Sequence, residues 1–342
     1  DLIVVGEWMP VTFFHNDHGK FTNVTGKTGI GDKTGWWNSI AAGDFRHTGR
    51  TDYIIGNLGL NSLYRASDRY PVCVTAGDFG NSGTYIAIPS IYLPDVKGEK
   101  KEFPAMGRDD IARQMPGIKK KYPTYKPFAL ATMDDILSPE QRKSAIRLSA
   151  NEMRSVYLRN DGNGRFTMIP LPIGAQVSVI NGMVVDDFDG DGNPDVLLNG
   201  NDYGTEVGTG RYDALNGLLL KGDGKGHFTP QSIAASGIYI PGNGKALVKL
   251  QGARGQYLIA ASQHRGPLKL YRLNKAPLVI RMTPDITYAI VHFADGHIQK
   301  TEAYDGSSFL SQSGRFLTAG KNASYVELFN SKGLAAKIKV PQ

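Results

Sequence analysis

The chain has 342 residues with 41 glycines, 18 prolines and 10% aromatics, enough to bury one large core or two to three ordinary ones, and richer in turn formers than a helical protein needs. Its net charge of +7 is a mild, diffuse excess that reads as a solvated surface rather than a dedicated polyanion site. No apolar run is long enough for a membrane-spanning helix, and the lone Cys73, in the apolar run Val72-Cys73-Val74, excludes an internal disulfide and reads as a small buried hydrophobe.

The chain opens on Asp1-Leu2-Ile3-Val4-Val5-Gly6, an acidic residue running straight into a strand. The same pattern recurs at Asp195-Val196-Leu197-Leu198, so Asp1 reads as the closing position of an acidic loop that begins upstream, and the chain as part of a longer polypeptide. Val11 to Phe14 follows as a strand, and Asn16-Asp17-His18-Gly19-Lys20-Phe21 as a tight turn. His15 and His18 have a spacing that suits a transition metal, but on a hairpin turn they read as a solvated pair. In Gly35-Trp36-Trp37-Asn38-Ser39, paired tryptophans can stack on a sugar or fill space between sheets; Trp36, Trp37 and Asn38 are therefore candidate ligand contacts.

Asp44-Phe45-Arg46-His47-Thr48-Gly49-Arg50-Thr51-Asp52 keeps aspartates at both ends and glycine sixth, with Arg46 and Thr48 where a metal loop would carry inner carboxylates. The pattern predicts a loop without a cation, in which Arg46 substitutes electrostatically. Asp78-Phe79-Gly80-Asn81-Ser82-Gly83 is a further decayed copy, with Ile86 at the closing position. Residues 97–147 differ in texture and read as a helical insertion. Arg108 to Met115 is a helix, and Ser138-Pro139-Glu140-Gln141 starts another, with Ser138 as N-cap, Pro139 in the first turn and Gln141 completing a capping box. Between them Lys119-Lys120-Lys121-Tyr122-Pro123-Thr124-Tyr125-Lys126 interleaves basic and aromatic residues, as a contact for an anionic polymer does. A solvated helix end with packed aromatics is the simpler reading, so nucleic acid is not the expected partner.

Val156 to Leu158 and Leu218 to Leu220 are strands, each followed by a glycine-rich turn, Asn160-Asp161-Gly162-Asn163-Gly164-Arg165-Phe166 and Gly222-Asp223-Gly224-Lys225-Gly226-His227-Phe228. Between them lies Asp186-Asp187-Phe188-Asp189-Gly190-Asp191-Gly192-Asn193-Pro194-Asp195, whose five carboxylates repel one another unless a cation sits among them. Asp187, Asp189, Asp191 and Asp195, with a carbonyl of Asn193, offer oxygen ligands for a hard divalent ion, and calcium is the natural candidate. An EF-hand would need a carboxylate at the twelfth position, which is Leu198, so this is a related loop that ends on Asp195 and enters a strand. The polar stretch 201–217 is rich in side-chain chemistry, and Tyr203, Glu206, Arg211, Tyr212 and Asp213 are candidate ligand contacts; alternatively, Arg211 pairs with Glu206 or Asp213 to hold the loop. Strands between Ala246 and Leu273, a linker at Asn274-Lys275-Ala276-Pro277 and a small β unit over 276–342 complete the chain.

Acidic loop, strands, hairpin and strand make one four-stranded blade, and repetition of blades makes an all-β propeller over 1–275. The loops at 187–195, 44–52 and 78–86 resemble those of the FG-GAP or VCBS repeat family, and Gly306-Ser307-Ser308-Phe309-Leu310-Ser311-Gln312-Ser313 resembles the ASPIC/UnbV segment that follows such repeats in bacterial proteins. The resemblance implies calcium-loop blades of an integrin-type propeller in a secreted or surface-exposed protein with an adhesive or binding role. Four to five blades can be counted here, against the seven common in the family. No nucleophile elbow, dinucleotide fingerprint, Walker loop or His-Glu-x-x-His is present, and aspartates around a cation stay ionised, which suits them poorly to proton transfer. The expected function is therefore non-enzymatic: a calcium-stabilised, extracellular or cell-surface propeller that recognises a glycan or protein through its loops. The alternative is a polysaccharide lyase or hydrolase using Arg211, Tyr212, Tyr203 and Glu206.

Overall fold

Short apolar runs punctuated by glycine- and aspartate-bearing turns keep every strand between three and nine residues, so the chain builds several small antiparallel sheets instead of one large one. The computed structural model describes residues 1–80, 83–253, 255–274, 277–320 and 322–341. Asn81 and Ser82 of the decayed loop, and Lys275 and Ala276 of the expected linker, lie outside them.

Two sheets share one plan. In one, Ile180–Asp186, Asp195–Gly200, Leu218–Gly222 and Phe228–Gln231 pair in sequence order. In the other, Ser39–Gly43 and Asp52–Gly56 pair with Val156–Gly162 and Arg165–Pro170. The hairpin at 160–166 thus belongs with the loop at 44–52, and the whole of 57–155 interrupts one sheet between its second and third strands. Within that interruption, Lys100–Pro104, Ile86–Pro94, Val72–Gly77 and Ile146–Ala150 form a further sheet. Short helices between Arg108 and Ser144 pack on it through Ile111, Ile118, Phe128 and Met133. The capping box is formed: the Gln141 amide N–H donates to Ser138 Oγ at 3.2 Å, and Gln141 Oε1 accepts from the Ser138 amide at 2.9 Å. Among the described residues no helix is long and apolar enough to cross a membrane.

Leu2–Val4, Thr12–Asp17 and Lys20–Asn23 form a three-stranded sheet with the same closing contact as the two above. Asp1 accepts from the Asn16 amide at 3.0 Å, as Asp52 does from Asn160 at 2.7 Å and Asp195 from Gly222 at 2.9 Å. Gly244–Gln251, Tyr257–Gln263 and Lys269–Arg272 form another. The strands Ser39–Gly43, Ile180–Asp186 and Gly244–Gln251 lie side by side, each at the edge of its own sheet.

The C-terminal sheets have their own core, with Ile280, Val291, Phe293, Leu317 and Val326, and send residues 307–314 across those three edges. The Ser308 amide donates to Ile40 O at 2.8 Å, Ser308 Oγ donates to Asn181 O at 3.0 Å and accepts from the Met183 amide, and the Gly314 amide donates to Lys249 O at 2.8 Å. Backbone groups that a bare edge would leave open are met in this way. Asp186, half-buried, adds a side-chain tie, accepting from Lys249 Nζ at 2.9 Å, the Tyr257 hydroxyl at 3.0 Å and Thr318 Oγ1. Asp186→Asn keeps the shape and removes the charge facing Lys249; it is expected to cost about 1–3 kcal/mol in urea unfolding, and an unchanged midpoint would remove Asp186 from the account.

Candidate functional site

The loop 187–195 turns tightly because Gly190 and Gly192 take left-handed backbones, with φ of +83° and +92°. Their amides donate to Asp187 at 2.8 and 2.9 Å, and the Phe188 amide donates to Asp195 at 3.0 Å. Gly222 closes over the loop so tightly that a Cβ there would lie 2.2 Å from Pro194 O. This folding brings one carboxylate oxygen each from Asp187, Asp189 and Asp195 within 4.8 Å of one another. Asp191 lies outside that group; the Lys221 ammonium stands 3.0 Å from it and also contacts Asp189. The side-chain oxygen of Asn193 is engaged by His47 Nε2 at 2.9 Å. Burial pushes Asp187 up to about 6 and Asp195 up to about 7, against the pull of the backbone amides and with help from neighbouring carboxylates. A divalent cation among these oxygens would offset that cost, and the all-oxygen donor set fits calcium.

The sister loop 44–52 has the same backbone, with His47 at φ +53° and Gly49 at +71° where the first has Gly190 and Gly192. Its opening aspartate accepts from the Thr48 and Gly49 amides, both at 2.9 Å. Arg46, in the place of Asp189, donates to both oxygens of Asp52 at 3.1 and 3.0 Å and to Asn160 O at 2.7 Å. The positive charge is built into this loop, as its sequence leads one to expect.

At the far ends of the strands that leave these two loops, roughly 16–20 Å away along extended chain, of five residues in Asp52–Gly56 and six in Asp195–Gly200, the interruption 57–155 follows Gly56 and the polar stretch 201–217 follows Gly200. The two meet at a cleft of about 630 Å³, with Leu63, Ala105 and Asp110 on one side and Glu206, Arg211, Tyr212 and Asp213 on the other. Asn201, fully buried, anchors the stretch by donating to Leu215 O at 2.7 Å and Gly242 O at 2.8 Å, while Asp202 and Tyr212 exchange backbone hydrogen bonds at 2.8 and 2.9 Å. Arg211 pairs with neither Glu206 nor Asp213; its guanidinium lies over the Tyr203 ring at 4.8 Å. Burial pushes the Tyr212 phenol up to about 12, and burial followed by the charge of Glu206 raises Tyr64.

Residues 147–198 match the model of an FG-GAP-like repeat. No curated protein matches the chain. The repeat so defined runs from the strand Ile146–Ala150 through the acidic loop to Asp195–Gly200, and therefore contains all five predicted metal ligands.

Of the other predicted contacts, Glu206, Arg211, Tyr212 and Asp213 gather at the cleft beside the FG-GAP-like repeat, and Tyr203 stands next to Arg211. Trp37 does not join them: it is 1% exposed, and its indole N–H donates to Met9 O at 2.9 Å. Asn38 donates to Trp36 O at 3.1 Å and does not line the cleft. Trp36 packs beneath it, edge-on to Trp8 at 4.9 Å and Tyr64 at 4.7 Å, against the buried cluster that also carries Tyr212. Sequence reasoning missed Lys221 and Tyr64, whose partners Asp189, Asp191 and Trp36 lie far off in the chain, and Asp110, which pairs locally with Arg113 and joins the cleft only through the fold. In the basic and aromatic run, Tyr122 is buried edge-on to Phe128 at 5.8 Å, and Tyr125 lies under Arg108 with its hydroxyl donating to Asp109 at 2.7 Å.

Proposed function

We propose that this chain is a calcium-stabilised binding module, built from blades of an integrin-type propeller and working outside the cell or at its surface, that holds a glycan or protein ligand at the cleft without turning it over. The observation that carries the reading is the meeting of the 57–155 interruption and the 201–217 stretch over one cleft, at the end of the sheets opposite the acidic loops. Two segments inserted at the same point of sister sheets build a recognition surface, while the acidic loops hold the frame. A lyase would need Tyr212 as phenolate near neutral pH, and its rise to about 12 opposes that role. In this reading the C-terminal sheets are the ASPIC/UnbV-like unit, which clasps the blades.

The test is an array of neutral and acidic oligosaccharides, followed by calorimetric titration of the hits. Tyr212→Ala is expected to weaken binding about tenfold or more while the melting temperature stays near that of the parent. Release of new sugar ends from a bound oligosaccharide would replace the binder by an enzyme.

A further inference from the structure

Arg211 and Tyr203 of the 201–217 stretch also line a second pocket of about 540 Å³, whose other residues come from the segment 241–243 just before the strand Gly244–Gln251, from the end of Tyr257–Gln263 and from the turn after it. Its chemistry differs from that of the first cleft. Arg211, Arg265, Lys269 and His264 line it, and no carboxylate does among the described residues. Among the described residues none of the three permanent cations is ion-paired there: Arg211 lies over Tyr203, and Lys269 donates to Pro241 O at 2.9 Å. Arg265 holds a left-handed backbone, φ +56°, a turn position that glycine takes at less cost.

Two amide side chains in the lining are unmet among the described residues. Asn243 is 4% exposed, and its side-chain oxygen meets no partner among the described residues. Gln263 is likewise unmet at both Oε1 and Nε2. Buried amides are almost always hydrogen-bonded, and these unmet atoms are closed to solvent, so a modest turn of either side chain toward the pocket would bring a donor and acceptor pair to a ligand that itself both donates and accepts. Hydroxyl groups do both. Unpaired guanidinium groups above them call for an oxyanion, to which a guanidinium fork binds in a bidentate manner.

We propose that this pocket takes a sugar residue bearing an oxyanion, carboxylate or sulfate, so that the glycan held at the cleft is an acidic one; the inference rests on the glycan reading given above. Asn243 and Gln263 meet ring hydroxyls, Arg265 and Lys269 meet the anion, and Arg211, shared by both pockets, sits where one saccharide unit passes to the next. The net charge of +7 adds a weak long-range attraction of the same sign.

The test titrates the whole chain with three hexasaccharides of equal length: an oligogalacturonate, a sulfated heparin fragment and a neutral laminarin fragment. One or both acidic probes are expected to bind at least about tenfold tighter than the neutral one, and the stronger of the two identifies the oxyanion. Arg265→Ala, at an exposed turn, is expected to lower that affinity about tenfold and to weaken neutral binding far less. Lys225→Ala, in the exposed turn beside Asn193 at the acidic-loop end of the sheets, is expected to change nothing; an equal loss there would mean diffuse attraction and would overturn the proposal. If neutral and acidic probes bind alike, and Tyr212→Ala weakens both, the acidic pocket is wrong and the glycan cleft stands. If no oligosaccharide binds, both fall.

Discussion

Asp52→Ala is expected to lower the free energy of unfolding by about 3–5 kcal/mol, the usual cost of leaving one partner of a buried ion pair alone. Asp52 is fully buried and accepts from Arg46 at two atoms, from the Tyr157 hydroxyl at 2.6 Å and from the Asn160 amide at 2.7 Å. Its loss leaves the charged Arg46 side chain, only 18% exposed, without its carboxylate, together with two unmet donors. The urea midpoint measures this, and a shift worth less than about 1 kcal/mol would sink the account. The double variant Arg46→Met, Asp52→Asn removes both charges at similar volume, so it is expected to cost much less than the two single changes added together. That non-additivity distinguishes an internal cation from ordinary core packing.

Chelation is expected to lower the melting temperature, and calcium to restore it, by an amount worth about 2.7 kcal/mol when calcium stands a hundredfold above its Kd. Asp189→Ala and Asp195→Ala are expected to abolish the difference, because their oxygens converge with that of Asp187. Asp191→Ala is expected to weaken it less, since that side chain lies outside the group. Lys221→Met is expected to tighten calcium binding, because the ammonium already occupies Asp189 and Asp191. Differential scanning fluorimetry with and without chelator reads all four; a melt that ignores calcium would remove the metal from the reading. The sister loop supplies an internal comparison: it places Arg46 where the first loop has Asp189, and its stability is expected not to respond to calcium.

The sequence by itself determined the loops. Aspartates at alternate positions and a glycine sixth place side-chain oxygens and left-handed backbones within ten residues, and such local geometry follows from turn chemistry whatever surrounds it. For the same reason the capping box at Ser138, the hairpins and the cation built into the 44–52 loop through Arg46 were all legible in the chain. The partners of those elements were not. Asp52–Gly56 finds Val156–Gly162 across about a hundred residues, and nothing local marks it, because many short apolar strands in this chain are compatible and only the simultaneous burial of both faces selects one pairing and register. The same holds for Trp37, which the adjacent Trp36 made look like half of a sugar platform until burial separated the two; for Lys221, whose charge reaches two aspartates from a neighbouring strand; and for the pocket of Asn243, Gln263 and Arg265, whose residues carry no motif and become a site only when strand ends from one sheet face a loop from another. Short-range backbone chemistry wrote the acidic loops into the sequence, and long-range packing alone decided what the opposite ends of those strands hold.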